Sequence, residues 1–238
     1  MTIVAVRADP MRSRPPDRPL VVALVGVAGV GKSSLAGALA RLEPEARVRP
    51  RITWWQYLAN VPAMLPTFLQ IHRPFRGVLF KEMKRLLRLH VLHKLVRETK
   101  DCGILVFDEG PVYLLARILV YGERRIQTKG FEDWWRRAIA QWAAELDVIV
   151  WLDAPDGVLG PRLRNRPLHP FVYTGDRSVQ ALLRAYRDAF ARVIDELVAA
   201  GAPHPWIVST ARGSVDRTAY ELLARLQALR EGAGGTPA

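Results

Sequence analysis

Gly26-Val27-Ala28-Gly29-Val30-Gly31-Lys32-Ser33 reads G-x-x-x-x-G-K-S, the phosphate-cradling P-loop pattern. Its context agrees with its spelling. Before it, Leu20–Val25 is an unbroken apolar run of buried-strand length. After it, Ser34–Ala40 opens well as a helix. Glycines at 26, 29 and 31 let the backbone curl so that several N–H groups face one anion. The following helix end adds about half a positive charge. Gly26, Val27, Ala28, Gly29, Val30, Gly31, Lys32, Ser33 and Ser34 are therefore the expected nucleotide-binding residues. Lys32 would reach the β- and γ-phosphates, and the Ser33 hydroxyl would ligate Mg²⁺.

Outward from this stretch, strand signals alternate with helical ones, which predicts a parallel sheet with crossover helices. A weak strand falls near Arg47–Thr53, and stronger ones at Gly103–Phe107, Asp147–Leu152 and Trp206–Ser209. Leu79, Met83, Leu87, Val91 and Leu95 recur every four residues and predict an amphipathic helix over 76–99. Further helices are expected at Phe131–Leu146, from Ser178 to about Ala200, and at Val215–Leu229. The expected fold is α/β: five parallel strands with helices on both faces, a helical insertion at 54–100 and a lid at 157–177. Residues 20–230 read as a single domain. Residues 1–19 and 231–238, rich in Pro, Arg, Gly or Ala, read as disordered tails.

The strand at 103–107 ends in Asp108-Glu109-Gly110. An Asp there is placed to hold Mg²⁺ together with Ser33. Glu109 has two open roles: general base for an acceptor hydroxyl, or activator of water. The strand at 147–152 runs into Leu152-Asp153-Ala154-Pro155, followed by Arg162, Arg164 and Arg166. Guanidinium groups suit the charge that spreads over a transferred phosphoryl group. The loop 209–214 is placed to meet a nucleotide base.

The chain carries 35 Lys/Arg against 23 Asp/Glu, a formal charge of +12, which draws phosphorylated ligands. It holds no nucleic-acid-binding motif. Cys102 is the single cysteine, so no intrachain disulfide forms. No run of about 18 apolar residues exists, and the N-terminal apolar run Ile3–Val6 is too short for a signal peptide. A cytoplasmic protein is expected. Between Arg73 and Lys100 lie nine Lys/Arg and two Glu, with the aromatics of 54–80 just ahead. That segment either forms an acceptor pocket, docks a partner or membrane through the basic helix 76–99, or is a core helix with a solvated basic face. His90 and His93 fall on one helix face without the carboxylates or cysteines of a metal site. A homodimer is left open.

The order of P-loop, strand ending in Asp, Leu-Asp-Ala-Pro, arginine-bearing lid, long helix and last strand resembles the P-loop nucleoside and nucleotide kinases. It looks most like thymidylate kinase and the deoxynucleoside kinases, over roughly residues 20–230. The resemblance implies ATP with Mg²⁺ as phosphoryl donor, Lys32 and Ser33 in the loop roles, and the lid position for Arg162, Arg164 and Arg166. Two departures concern the acceptor. Thymidylate kinases carry Asp-Arg after the third strand and deoxynucleoside kinases Glu-Arg-Ser, whereas this chain has Asp108-Glu109-Gly110, with Arg117 the next arginine. After the second strand those families place a carboxylate, and this chain has Arg49-Pro50-Arg51. The leading expectation is a kinase with Lys32, Asp108, Glu109 and the lid arginines as catalytic residues and an altered acceptor. An ATPase switch or assembly factor is the alternative, and a nucleotide-binding module without turnover a third.

Overall fold

A computed structural model describes residues 3–5, 18–48, 52–72, 80–100, 102–122, 129–164, 176–211 and 213–234. Six strands form one sheet: β1 (Ile3–Ala5), β2 (Leu20–Val25), β3 (Arg47–Val48), β4 (Ile104–Phe107), β5 (Val148–Asp153) and β6 (Trp206–Ser209). Their spatial order is β1-β6-β5-β2-β4-β3. Five are parallel, as expected, with Leu20 paired to Ile104 and Val22 to Val148 around the central strand. The sixth corrects the sequence reading. Ile3–Ala5 falls in the stretch expected to be disordered, yet pairs antiparallel with β6 and closes that edge. Three residues are too short to announce a strand by alternation.

The helices are α1 (Lys32–Leu42), α2 (Trp54–His72), α3 (Phe80–Glu98), α4 (Pro111–Gly122), α5 (Lys129–Glu145), α6 (Asp156–Arg164), α7 (Asp176–Ala199) and α8 (Val215–Gly234). Right-handed crossovers assign them to faces. The step from β2 to β3 runs toward one edge and carries α1. The steps onward from β3 run the other way and carry α2–α5 and α7 on the opposite face. The packing agrees: α1 lies on α8, while α4 lies on α7 and α3, and α2 on α3 and α5. The 54–100 insertion is the helix pair α2 and α3. α8 runs past Leu229 to Gly234, into the expected tail. The Ser214 hydroxyl accepts from Arg217 N at 3.2 Å and caps this helix without a capping box.

Every residue of β2 and β4 is buried, as a strand covered on both faces requires. Burying one such Val, Leu or Phe side chain stabilises by about 1.5–3 kcal/mol. Both strands end at the edge of the sheet that carries the loop described below. α4 was not among the expected helices. Val112, Leu114, Leu115, Ala116, Ile118 and Leu119 are buried, while Tyr113, Arg117 and Tyr121 form its less buried face, so the polar side is marked by a single charge. α3 likewise buries Leu86, Leu89, Leu92 and Val96 beside the expected Leu87 and Val91. Its apolar residues are spent inside the molecule rather than on an outer surface.

Beneath α2, His90 lines a cavity of about 110 Å³ with Thr67, Arg137 and Gln141. Burial, then His93 and Lys94, hold its pKa below 6.5. Nearby, the hydrogen bond with His93, opposed by burial and aided by Arg18, holds Glu145 below 4.5. A group with a depressed folded pKa contributes stability above its unfolded pKa and loses it as pH falls. Stability should therefore decline in two steps, below about pH 6.5 through His90 and below about pH 4.5 through Glu145. Urea midpoints between about pH 7.5 and 5.5 check the first step, which His90→Gln should flatten. An unchanged pH slope in that variant would remove His90 as its source.

Candidate active site

β2, β4, β5 and β6 are parallel, so their carboxyl ends share one edge of the sheet. After β2 the chain crosses toward β3, and after β4 it crosses back over β2 to β5. The crevice between β2 and β4 is therefore the switch point of the sheet, where open α/β folds bind ligands.

The loop 26–31 fills the end of β2. Gly26, Gly29 and Gly31 have φ of 145°, 83° and 99°, a region side chains avoid. A Cβ on Gly26 would stand 2.3 Å from the Leu152 carbonyl oxygen of β5, so the loop starts hard against the neighbouring strand. A Cβ on Gly29 would touch Leu163 of α6 at 3.3 Å. Val27 and Val30 are buried and pin the loop, while Ala28 is half-buried. Gly31 caps α1 with no side-chain hydrogen bond, α1 has no acid in its first turn, and a Cβ on Gly31 would meet nothing within 4 Å. The result is an open helix N-terminus with room above it, which fits a phosphate. Ser33 and Ser34 are exposed on the first turn. Lys32 Nζ donates to Gly26 O at 2.7 Å and Val27 O at 3.0 Å, so the ammonium lies over the loop itself.

Asp108 lies at the end of β4, 6% exposed, and its Oδ2 accepts from Ser33 Oγ at 3.1 Å. The sequence separates them by 75 residues, and the β2–β4 pairing brings them together. A hydroxyl and a carboxylate are hard oxygen donors, the set that suits Mg²⁺. Glu109 is exposed beside Asp108.

Arg162 on α6 donates to Thr210 O at 3.0 Å, bridging the expected lid to the loop after β6. A cleft of about 430 Å³ lies there, lined by Gly29, Gly31, Ser34, Arg162, Thr210 and Gly213 among others. That volume is within the range of small-ligand sites. Arg164 ends α6 with its side chain outside the described residues. Arg166, Arg212 and the remaining lid positions through 175 lie outside them altogether. The loop 209–214 follows β6, which is not a neighbour of the P-loop strand β2. β5 intervenes, and the loop reaches the site through the cleft.

Two groups went unread in the sequence. Arg187 of α7 donates to Asp153 Oδ1 at 3.3 Å, Asp156 Oδ1 at 2.6 Å and Ala154 O at 2.9 Å, clamping β5 to α6. Burial opposes its charge, but the two carboxylates outweigh that and raise its pKa. Arg117 of α4 donates to the Tyr113 hydroxyl at 3.3 Å and lies 5.9 Å and 5.7 Å from the Tyr113 and Tyr121 rings. Its Nε is buried without a hydrogen-bond partner. Burial works against this guanidinium too, yet Tyr113, Tyr186 and Tyr121 move its pKa up. Burial and the hydrogen bond with Tyr121 push the Tyr186 hydroxyl upward. The Arg187 cluster has no local spacing to announce it, whereas Tyr113, Arg117 and Tyr121 follow each other at four-residue helical spacing on α4 and only Tyr186 comes from α7.

Solved structures share this fold. A thymidylate kinase from Candida albicans aligns over 90% of this chain and 93% of its own, with TM-score 0.53 at 13% identity. A deoxyadenosine kinase from M. mycoides, solved with dCMP and dCDP, covers 87% of this chain and 99% of its own, with TM-score 0.53 at 13% identity. The YorR protein of Bacillus subtilis, solved with phosphorylated GDP, covers 89% and 98%, with TM-score 0.53 at 16% identity. The fold is that of the P-loop nucleoside and nucleotide kinases. No family model and no curated protein sequence matches the chain. The expected kinase-like fold is thus borne out.

Proposed function

We propose that the protein is a phosphotransferase that uses ATP and Mg²⁺ to phosphorylate a small-molecule acceptor. The carrying observation is the convergence of the open α1 N-terminus and Arg162 on one cleft, with Ser33 of the same first turn of α1 hydrogen-bonded to Asp108 at the end of β4. The loop amides and Lys32 would hold the phosphates, and Ser33 and Asp108 would hold Mg²⁺. ATP supplies the activated phosphoryl group. Arg162, and the sequence neighbours Arg164 and Arg166, supply cations for charge that develops on the transferred oxygens. Thr210 and Gly213 line the side that suits a nucleotide base. Glu109, exposed at the carboxyl edge, would take the proton of an acceptor hydroxyl. Arg117, one turn beyond Tyr113, is the cation on the α4 side, in place of the arginine that the resembling families carry next to their acid. The solved neighbours are kinases, which supports the reading by analogy of fold.

The adjacency of buried Asp108 and exposed Glu109 also favours a second reading, an ATPase switch in which Glu109 activates water. Turnover with Mg²⁺-ATP and a panel of nucleosides, nucleotides, sugars and antibiotics separates the two. ADP without free phosphate, appearing with one compound, supports transfer. Glu109→Gln should then lower that rate by about 10²- to 10⁴-fold. Phosphate equal to ADP whatever is added would establish the switch instead.

A further inference from the structure

We propose that Arg187 of α7 is a positioning residue that fixes α6 so that Arg162 faces the nucleotide; this rests on the cleft being the nucleotide site. α6 is a helix that cannot hold its own direction. It has nine residues and contains Gly157, Gly160 and Pro161. Isolated helices shorter than about 12 residues are marginal even in good helix formers, and glycine and proline are the poorest. Pro161 also cannot donate to the Gly157 carbonyl. Outside contacts must therefore set where α6 points.

Those contacts close a ring. Arg187 donates to Asp156 Oδ1 at 2.6 Å, the first residue of α6. The same guanidinium donates to Asp153 Oδ1 at 3.3 Å and Ala154 O at 2.9 Å, at the end of β5. Six residues along α6 from Asp156, Arg162 donates to Thr210 O at 3.0 Å. Thr210 N in turn donates to Asp153 O at 2.9 Å, which returns the circuit to β5. Arg187 contributes three bonds to this ring and Arg162 one, so the anchor is at Arg187. Three acceptors in different directions suit a planar fork and not an ammonium. The cation is also the covered member. Its side chain is 23% exposed, against 46% for Asp153 and 42% for Asp156. Both carboxylates can take up water if it is removed, so the chain should fold without it.

The anchor matters because α6 walls the cleft. A Cβ on Gly29 would meet Leu163 at 3.3 Å and Arg162 Cβ at 3.8 Å, which places α6 against the P-loop. Leu159 and Leu163 are its buried residues one turn apart. They hold one face but leave tilt about the helix start to Arg187. Arg162 lies about 9 Å along the axis from Asp156, so a tilt of about 10° moves it by about 1.5 Å. Misplacement of that size is enough to cost a positioned group most of its effect.

Mg²⁺-ATP titration of the full chain tests the role without recourse to turnover. Arg187→Gln should weaken binding about tenfold or more, the range of one lost charged hydrogen bond. Arg187→Lys keeps the charge without the fork and should recover only part of the loss. Because Arg187 acts through Arg162, Arg187→Gln/Arg162→Ala should bind no more weakly than Arg162→Ala alone. A role in stability alone would lower melting midpoints and leave the affinity of the folded protein unchanged. Hydrogen exchange reads the anchor directly: α6 amides should exchange about tenfold or more faster in Arg187→Gln, while α1 amides keep their rates. Absence of Mg²⁺-ATP binding by the wild type would overturn the nucleotide reading itself. Wild-type binding accompanied by an Arg187→Gln variant that binds as tightly, by additive losses in the double variant, or by unchanged α6 exchange would overturn the positioning role alone.

Discussion

Lys32→Ala should lower ATP turnover by about 10²- to 10³-fold, the loss that follows removal of one preorganised donor to developing charge. The effect on folding should be small. In the structure Lys32 Nζ donates to Gly26 O and Val27 O. A hydrogen bond from a charged donor contributes about 1.5–3 kcal/mol, but the side chain is half-exposed, so water can take the place of the ammonium on both carbonyls and recover much of it. The same two contacts show that the cation is already at the mouth of the loop, where only a swing of its side chain separates it from a phosphate. The check is paired: ADP release with Mg²⁺-ATP, and the thermal midpoint of the same preparation. A midpoint near wild type with turnover collapsed supports the role given to Lys32. Turnover unchanged would end it, whatever the acceptor proves to be.

How far the sequence alone reaches is visible at particular residues. The P-loop and its flanking strand were legible because they are contiguous: Leu20–Val25 carries the apolar signal and residues 26–33 carry the glycines and the Lys-Ser pair. Asp108 was legible because the motif fixes what a parallel neighbour strand must present, and Ser33 Oγ does meet it at 3.1 Å. The misses have different causes. β1 is three residues of edge strand whose pairing is decided by β6, about two hundred residues away, and nothing within Ile3–Ala5 says so. α4 carries a single charge, Arg117, between two tyrosines on its less buried face, so its polar side was faint in the sequence. α2 misled in the opposite sense. Of the aromatics read as pocket or core material, Phe68 is buried but Trp54 and Trp55 are exposed, since composition reports hydrophobicity and not the direction it faces. The Arg187 clamp depends on where α7 crosses α6, a property of the packed chain, whereas Arg117 meets Tyr113 and Tyr121 of its own helix at four-residue spacing.

The second large effect is expected at Gly26, where the fold and the site are the same few atoms. Gly26→Ala must place a Cβ at φ 145°, 2.3 Å from the Leu152 carbonyl oxygen and 3.0 Å from Val30 Cγ1. The first neighbour is strand backbone, fixed by the β2–β5 ladder that pairs Leu24 with Val150, and cannot turn aside as a flexible side chain would. Strain at such a backbone position costs about 1–3 kcal/mol, and the clash adds to it. For a chain of this size each kcal/mol lowers the melting midpoint by about 2–4 °C, so a loss of several degrees is expected. Gly31→Ala is the contrasting variant. Its φ of 99° is strained too, but its Cβ meets nothing within 4 Å, so its cost should stay near the conformational term of about 1–2 kcal/mol. Yet that open space lies over the amides of the α1 N-terminus, where an added methyl obstructs an approaching phosphate. Melting and Mg²⁺-ATP titration of both variants should therefore dissociate the two functions of the loop: Gly26→Ala loses stability and binding together, Gly31→Ala mainly binding. Equal melting losses in the two would mean that the end of β2 yields as readily as the open helix cap. In that case the tight junction with β5 would not be what holds the loop in shape.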